Sequence, residues 1–146
     1  MSYMSNEEAR YRLRLAEGFL AEARLNRQHE LWRSCVDNSQ LAAENAAKAT
    51  LALVGPVSRT HNPGVVLLDA LKEGSFPREA EVQVRKIAEC AALLGPQVHF
   101  ESDYGDESSW RTPWELFDEK KAREAFELAE EAVRLSQQII KQKDQT

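Results

Sequence analysis

Apolar residues recur every three or four positions along several long stretches of this chain, and no stretch alternates with period two over a useful length. Three-and-four spacing puts side chains on one helical face. The clearest case is residues 31–54, LWRSCVDNSQLAAENAAKATLALV, with Trp32, Cys35, Val36, Ala43, Ala46, Thr50 and Leu53 on a shared stripe. Ala42, Ala47, Ala49 and Ala52 add small surfaces that let neighbouring helices come close. Such a segment suits a central element touched from more than one side. Begun near His29, it would be roughly 39 Å long.

The other elements follow from their stripes and their punctuation. A first helix is predicted from Ser5, where Ser5 and Glu8 have capping-box spacing, with Ala9, Leu13, Ala16, Leu20 and Ala23 facing inward. Gly18 interrupts it at a cost of up to about 1 kcal/mol, either simply tolerated or making room for a passing helix. Asn26 to His29 forms the corner into the long helix, which Gly55-Pro56 stops. Asn62 is placed to cap a short third helix with Pro63 at its first position, carrying Val65, Val66, Leu67, Leu68 and Leu71 and closed by Gly74. Phe76-Pro77 opens a fourth, with Ala80, Val84, Ile87, Ala91 and Leu94 inward, and Gly95-Pro96 ends it.

Residues 96–112 show no sustained period and are expected to form a long, partly mobile loop pinned by Phe100, Tyr104 and Trp110. Thr112-Pro113-Trp114-Glu115 then reads as a capped helical turn. Asp118 is positioned to cap the last long helix, whose stripe is Ala122, Ala125, Phe126, Ala129, Ala132, Val133, Ser136 and Ile140. The terminal KQKDQT is expected to fray. The whole predicts an all-α, antiparallel up-and-down bundle. Four long helices carry it, with a short additional helix and a long loop before the last one.

Composition changes this picture little. The 146 residues make one domain, 1–146, with a core at about 5–140, large enough to fold without a metal or disulfide. Cys35 and Cys90 lie on helical stripes and read as buried free thiols, which fits a cytoplasmic protein. No apolar run approaches the length of a membrane span, and MSYMSNEEAR lacks the apolar core of a secretory signal. The net charge of −5 argues against a broad nucleic-acid surface. Residues 101–131 hold eleven Asp and Glu against four Lys and Arg.

Few residues stand out as chemistry. Arg59 and His61 precede a helix start whose free N–H groups could hold an anion. The same histidine could instead pack in the loop. Arg10, Arg14, Arg24 and Arg27 form a basic group on or near the first helix, open to a nucleotide, a partner's acidic loop, or ordinary pairing with nearby glutamates. Tyr104, Trp110, Trp114 and Phe117 gather aromatics near the long loop, where they could stack on a base, meet a partner or pack on the bundle; Arg111 lies among them. No spacing motif singles out a metal site, a cofactor or a phosphate loop.

The order of these features resembles the HEPN family, the higher eukaryotes and prokaryotes nucleotide-binding domain, over about residues 5–140. Ala9 to Ala23 matches the family's first helix, and Gln40, Ala42, Glu44, Lys48 and Ala49 match its Q-x-A-E-x-x-x-K-A helix with the glutamine one residue further out. Thr60-His61 matches the T-H pair before the third helix. Asp103-Tyr104-Gly105 stands where R-Y-P is common, followed by Thr112-Pro113 and an Ala-rich helix. The resemblance implies a compact helical bundle, commonly a homodimer. Some members are ribonucleases, including toxins, and others accompany a separate minimal nucleotidyltransferase. The nuclease members carry an Arg, four to six residues, then a His late in the bundle. Here Arg24 and His29 have that spacing only at the first corner, and no arginine lies four to six residues before His99. The expectation is therefore a non-catalytic bundle that binds a nucleotide, RNA or a partner protein, with Arg59, His61, Tyr104 and Arg111 as contacts. A ribonuclease with a displaced, dimer-built site and a purely structural adaptor are the alternatives.

Overall fold

The computed structural model describes residues 3–144. Its elements run α1 (Tyr3–Gln28), α2 (Trp32–Ala52), α3 (Pro63–Lys72), α4 (Glu81–Leu93), α5 (Pro96–Tyr104), α6 (Pro113–Leu116) and α7 (Glu119–Asp144). One 3-10 turn, Arg78–Ala80, leads into α4. Among the described residues there is no sheet, only a single bridge between Asp106 and Arg111. The all-α bundle with a long connection before its last helix is thus the architecture.

The alanine-rich helix α2 is the axis, packed against α1, α7, α4 and α5. Ala42, Ala43, Ala46, Ala47, Ala49 and Ala52 are all fully buried, because methyl groups are what let helices close in from several sides. Ala16, Leu20, Val36, Phe126 and Val133 fill one half of the core, where α1, α2 and α7 meet. Leu53, Leu67, Leu71, Phe76, Val84, Ile87 and Ile139 fill the other, beneath α3 and α4. At 21 residues α2 is about 31 Å long, shorter than expected, because the chain turns at His29 and Glu30 before it begins.

That corner needs no glycine. The Leu31 N–H donates to the Asn26 carbonyl at 2.8 Å, and Glu30 takes a positive φ of 60°, which together close α1 with a Schellman-type turn. Helix α1 starts at Tyr3 and runs through Ser5, so Ser5 does not mark its beginning; the side chains of Tyr3 and Ser5 lie outside the described residues. Gly18 is exposed with nothing near it, so it makes no room for a neighbour. The expected fraying of KQKDQT is not seen through Asp144, and Gln145 and Thr146 fall outside the described residues.

Of the three later caps, two behave as expected and one does not. Thr112 and Glu115 form a reciprocal capping box on α6, and Asp118 Oδ1 accepts from the Lys121 N–H at 2.9 Å at the start of α7. Asn62 occupies the cap position of α3, but its side chain caps nothing and its buried Oδ1 has no partner. Its own N–H donates to Thr60 Oγ1 at 2.9 Å instead.

The connection before α7 is more ordered than its sequence suggests. Its first part winds into α5. Beyond Tyr104, Gly105 at φ 77° reverses the chain, and Asp106 and Arg111 exchange two backbone hydrogen bonds of 2.8 and 3.0 Å. Phe100, Tyr104 and Trp110 do not pin this segment, since all three are exposed. The pinning is polar, and it centres on α2.

Candidate functional site

Helix α2 carries a second stripe besides its apolar one. Arg33, Asp37, Gln40, Glu44 and Lys48 recur at four, three, four and four, so they share a face. Helix α5 lies along the first part of that stripe and meets it with polar side chains. Ser102, fully buried, lies within hydrogen-bonding distance of Asp37 Oδ1 (3.1 Å) and of the His99 carbonyl (2.9 Å), to either of which its hydroxyl can donate. Arg33 donates to the Ser102 carbonyl at 2.9 Å and pairs with Asp103 at 3.6 Å. His99 Nδ1 faces Gln40 Oε1 at 3.2 Å, and Nε2 lies 3.9 Å from Asp103 Oδ2.

The stripe continues beyond α5. Gln40, almost wholly buried, donates to Glu44 Oε1 at 3.3 Å, and Glu44 pairs with Lys48 at 3.4 Å. Glu44 and Lys48 are each only 12% exposed. The two ion pairs, Arg33–Asp103 and Glu44–Lys48, are therefore joined through Gln40 and His99 into one line of polar contacts.

Exposed aromatic side chains sit on α5, on α6 and on the turn between them. Phe100 and Tyr104 stack with ring centroids 5.0 Å apart. The Arg33 guanidinium lies 5.9 Å from the Trp114 ring centroid. Trp114 is 73% exposed and Trp110 is 86% exposed. A notch of about 210 Å3 opens here between Leu31, Trp32, Arg33 and Trp114, with the buried Phe117 among its lining. Glu30 is part of its lining, and α5 with the turn after it carries Glu101, Asp103, Asp106 and Glu107. Hydrogen bonds from Ser108 and Ser109 hold the Asp106 carboxyl below the usual carboxylate range, so it stays ionised.

The residues singled out in the sequence scatter around this site. Tyr104 lies on α5, its ring centroid 5.0 Å from that of Phe100. Arg111 donates to the Glu115 carbonyl at 3.1 Å. Arg59 and His61 are exposed on the connection between α2 and α3. Among the described residues, no hydrogen bond, ion pair or ring contact joins them to Tyr104 or Arg111. In the basic group, Arg24 pairs with Glu130 at 3.3 Å, and Arg24 and Arg27 each sit 5.5 Å from the Phe126 ring centroid. Arg10 and Arg14 are exposed. A larger groove of about 480 Å3 runs between α1 and α7, but Arg24–Glu130, Arg134–Glu131 and Gln137–Glu17 contacts already engage most of its charged side chains.

Arg33, Asp37 and Asp103 are not among the contacts expected from the sequence, and His99 stands out there only for lacking an upstream arginine. The signal that marks Arg33 and Asp37 is the four, three, four, four spacing of polar residues on an alanine-rich helix. His99 and Asp103 stand four apart on α5, and the fold brings Asp37 of α2 to them, with donor atoms all within 4.8 Å of one another. Cys35 and Cys90 are free and buried, and burial pushes both thiols up, which keeps them protonated and unreactive at neutral pH.

The HEPN domain model matches residues 9–140 of this chain. The chain belongs to the HEPN domain family. Its fold is similar to that in the crystal structure of TT1696 from Thermus thermophilus, with a TM-score of 0.65 at 18% identity, covering 89% of this chain and 96% of that one. No curated protein matches the sequence. No helix among the described residues is long and apolar enough to cross a membrane. In this HEPN domain Gln40, Glu44 and Lys48 of α2 form the middle of the polar line.

Proposed function

We propose that this HEPN domain is a non-catalytic binding module that docks a partner protein on the surface formed by α5, α6 and the turn between them. The observation that carries the reading is the set of exposed aromatics, Phe100, Tyr104, Trp110 and Trp114, on α5, α6 and the turn between them, with Arg33 beside Trp114 and acidic residues on the same segments. Large aromatics beside a notch are what interface hot spots are made of. The surrounding carboxylates repel phosphate and favour a partner with basic side chains, so protein is preferred here to nucleotide or RNA. The family resemblance supplies the class of partner, a minimal nucleotidyltransferase. It also supplies the expectation of a homodimer.

The test is co-purification with a minimal nucleotidyltransferase encoded beside this chain. Trp110→Ala with Trp114→Ala is expected to weaken the complex at least about thirtyfold, the scale of one strong hot spot. Glu17→Ala, on the α1–α7 groove, is expected to leave it intact. No complex, or a complex indifferent to both tryptophans, overturns the reading. Light scattering of the chain alone is expected to give twice the 16.6 kDa chain mass, and a single-chain mass removes the dimer.

One observation favours a ribonuclease as second reading. Arg33 and His99 come from different helices, yet both contact Asp103. A histidine to take a 2′-hydroxyl proton and an arginine to hold the phosphate are the groups that such cleavage needs. The reading requires RNA cleavage by the pure protein that is lost in both His99→Ala and Arg33→Ala. Cleavage lost instead in Arg59→Ala and His61→Ala would move the site to the start of α3.

A further inference from the structure

We infer that Asp37, His99 and Asp103 form a binding site for a first-row divalent cation that clips α5 onto α2. The site stands whether or not a partner docks on the aromatic surface. Its centre is the imidazole. Gln40 Nε2 is committed to Glu44, which turns Gln40 Oε1 toward His99 Nδ1. In the neutral imidazole an oxygen there makes Nδ1 the N–H nitrogen and Nε2 the one that carries the lone pair. That lone pair faces Asp103 Oδ2 at 3.9 Å, and the Asp37 carboxylate completes the group within 4.8 Å. Three electron-pair donors thus point at one another, with Arg33 only at the edge, on the other Asp103 oxygen at 3.6 Å.

Each of the three donors also has a supporting contact of the kind metal ligands use. Gln40 holds His99, Ser102 is within reach of Asp37, and Arg33 steadies Asp103. Gln40 is itself buried and fixed by the Glu44–Lys48 pair, so the ring orientation is set from outside the donor group. Around a Zn2+ ion, with bonds of about 2.0–2.1 Å, tetrahedral donors stand about 3.3 Å apart. Side-chain rotation of the partly exposed Asp103 can close the remaining gap on the His99 side. One imidazole and two carboxylates suit Zn2+ or Mn2+ and leave a coordination position for water.

The test is calorimetric titration of the chelator-treated chain with Zn2+, paired with thermal melts. One equivalent is expected to bind and raise the melting temperature. Asp103→Asn and His99→Gln are each expected to weaken binding at least tenfold. Gln40→Ala, which touches no ion, is expected to weaken it about tenfold as a positioning residue. Co2+ offers a second readout, a visible absorption band that is lost in His99→Gln. Asp103 is partly exposed, so its variant tests the site even if the histidine variant fails to fold. No binding by the parent chain, or binding unchanged in Asp103→Asn, overturns the site.

Discussion

Gly64 packs so tightly on Ala88 that a methyl group on its Cα would stand 2.7 Å from the Ala88 carbonyl oxygen and 2.8 Å from the Ala92 nitrogen. Both obstacles are backbone, which cannot rotate aside. Gly64→Ala must therefore push α3 off α4, and it is expected to lower stability by about 1–3 kcal/mol. Gly18→Ala should do the reverse. Nothing lies within 4 Å of that position, and alanine restores up to about 1 kcal/mol of helix propensity. Urea unfolding of the two variants checks the opposite signs. A stabilised Gly64→Ala would mean the α3–α4 contact is looser than described.

Glu30 and Leu31 offer a second backbone experiment. Glu30 holds a φ of 60° with a side chain that disfavours it, because the turn after α1 needs a left-handed residue there. Glu30→Gly is expected to stabilise the chain by up to about 1 kcal/mol, since glycine removes the strain while loosening the unfolded chain a little. A midpoint shift in chemical denaturation reads the effect directly.

These corners show what the sequence could and could not reveal. The stripes of α1, α2, α4 and α7 are legible because their inward faces are apolar. Helix α5 is not, because its inward residues His99 and Ser102 meet the polar stripe of α2, so no apolar period marks it. Trp110 and Trp114 look able to pack on the bundle, yet both are exposed, because the turn between them is held by backbone hydrogen bonds and a capping box instead. The site's end of α2 is hidden for a related reason. Arg33 and Asp37 sit beside Trp32, Cys35 and Val36, whose apolar period masks the polar one.

The capping box of α6 predicts a pH dependence. Hydrogen bonds from the backbone and side chain of Thr112 hold the Glu115 carboxyl below its ordinary value of 4.5. A carboxylate lowered by folding contributes stability above the ordinary value, and loses it as pH falls toward the lowered one. The α6 turn, and with it Trp114, is expected to loosen on acidification below about pH 4. Thr112→Ala should lower stability at neutral pH, as the loss of a cap does, and remove this acid step. Tryptophan fluorescence followed through an acid titration distinguishes the two proteins.

Glu44 and Lys48 give the sharpest stability prediction, because the pair is largely withdrawn from water. Each side chain is 12% exposed, and Glu44 also accepts from the buried Gln40. Removing one charge strands the other, which typically costs about 3–5 kcal/mol when burial is complete. Some water still reaches this pair, so Glu44→Ala is expected near the lower figure. The double variant Glu44→Leu with Lys48→Met removes both charges while keeping volume, and it should recover most of the loss. Such a double variant frees the Gln40 amide from Glu44, so it should also loosen the orientation of His99. The imidazole chemical shifts of His99 are therefore expected to move in the double variant even where its stability is restored. That separation, folding regained but His99 disturbed, is what an orienting line of polar contacts requires; a pair that served stability alone would leave His99 as it was.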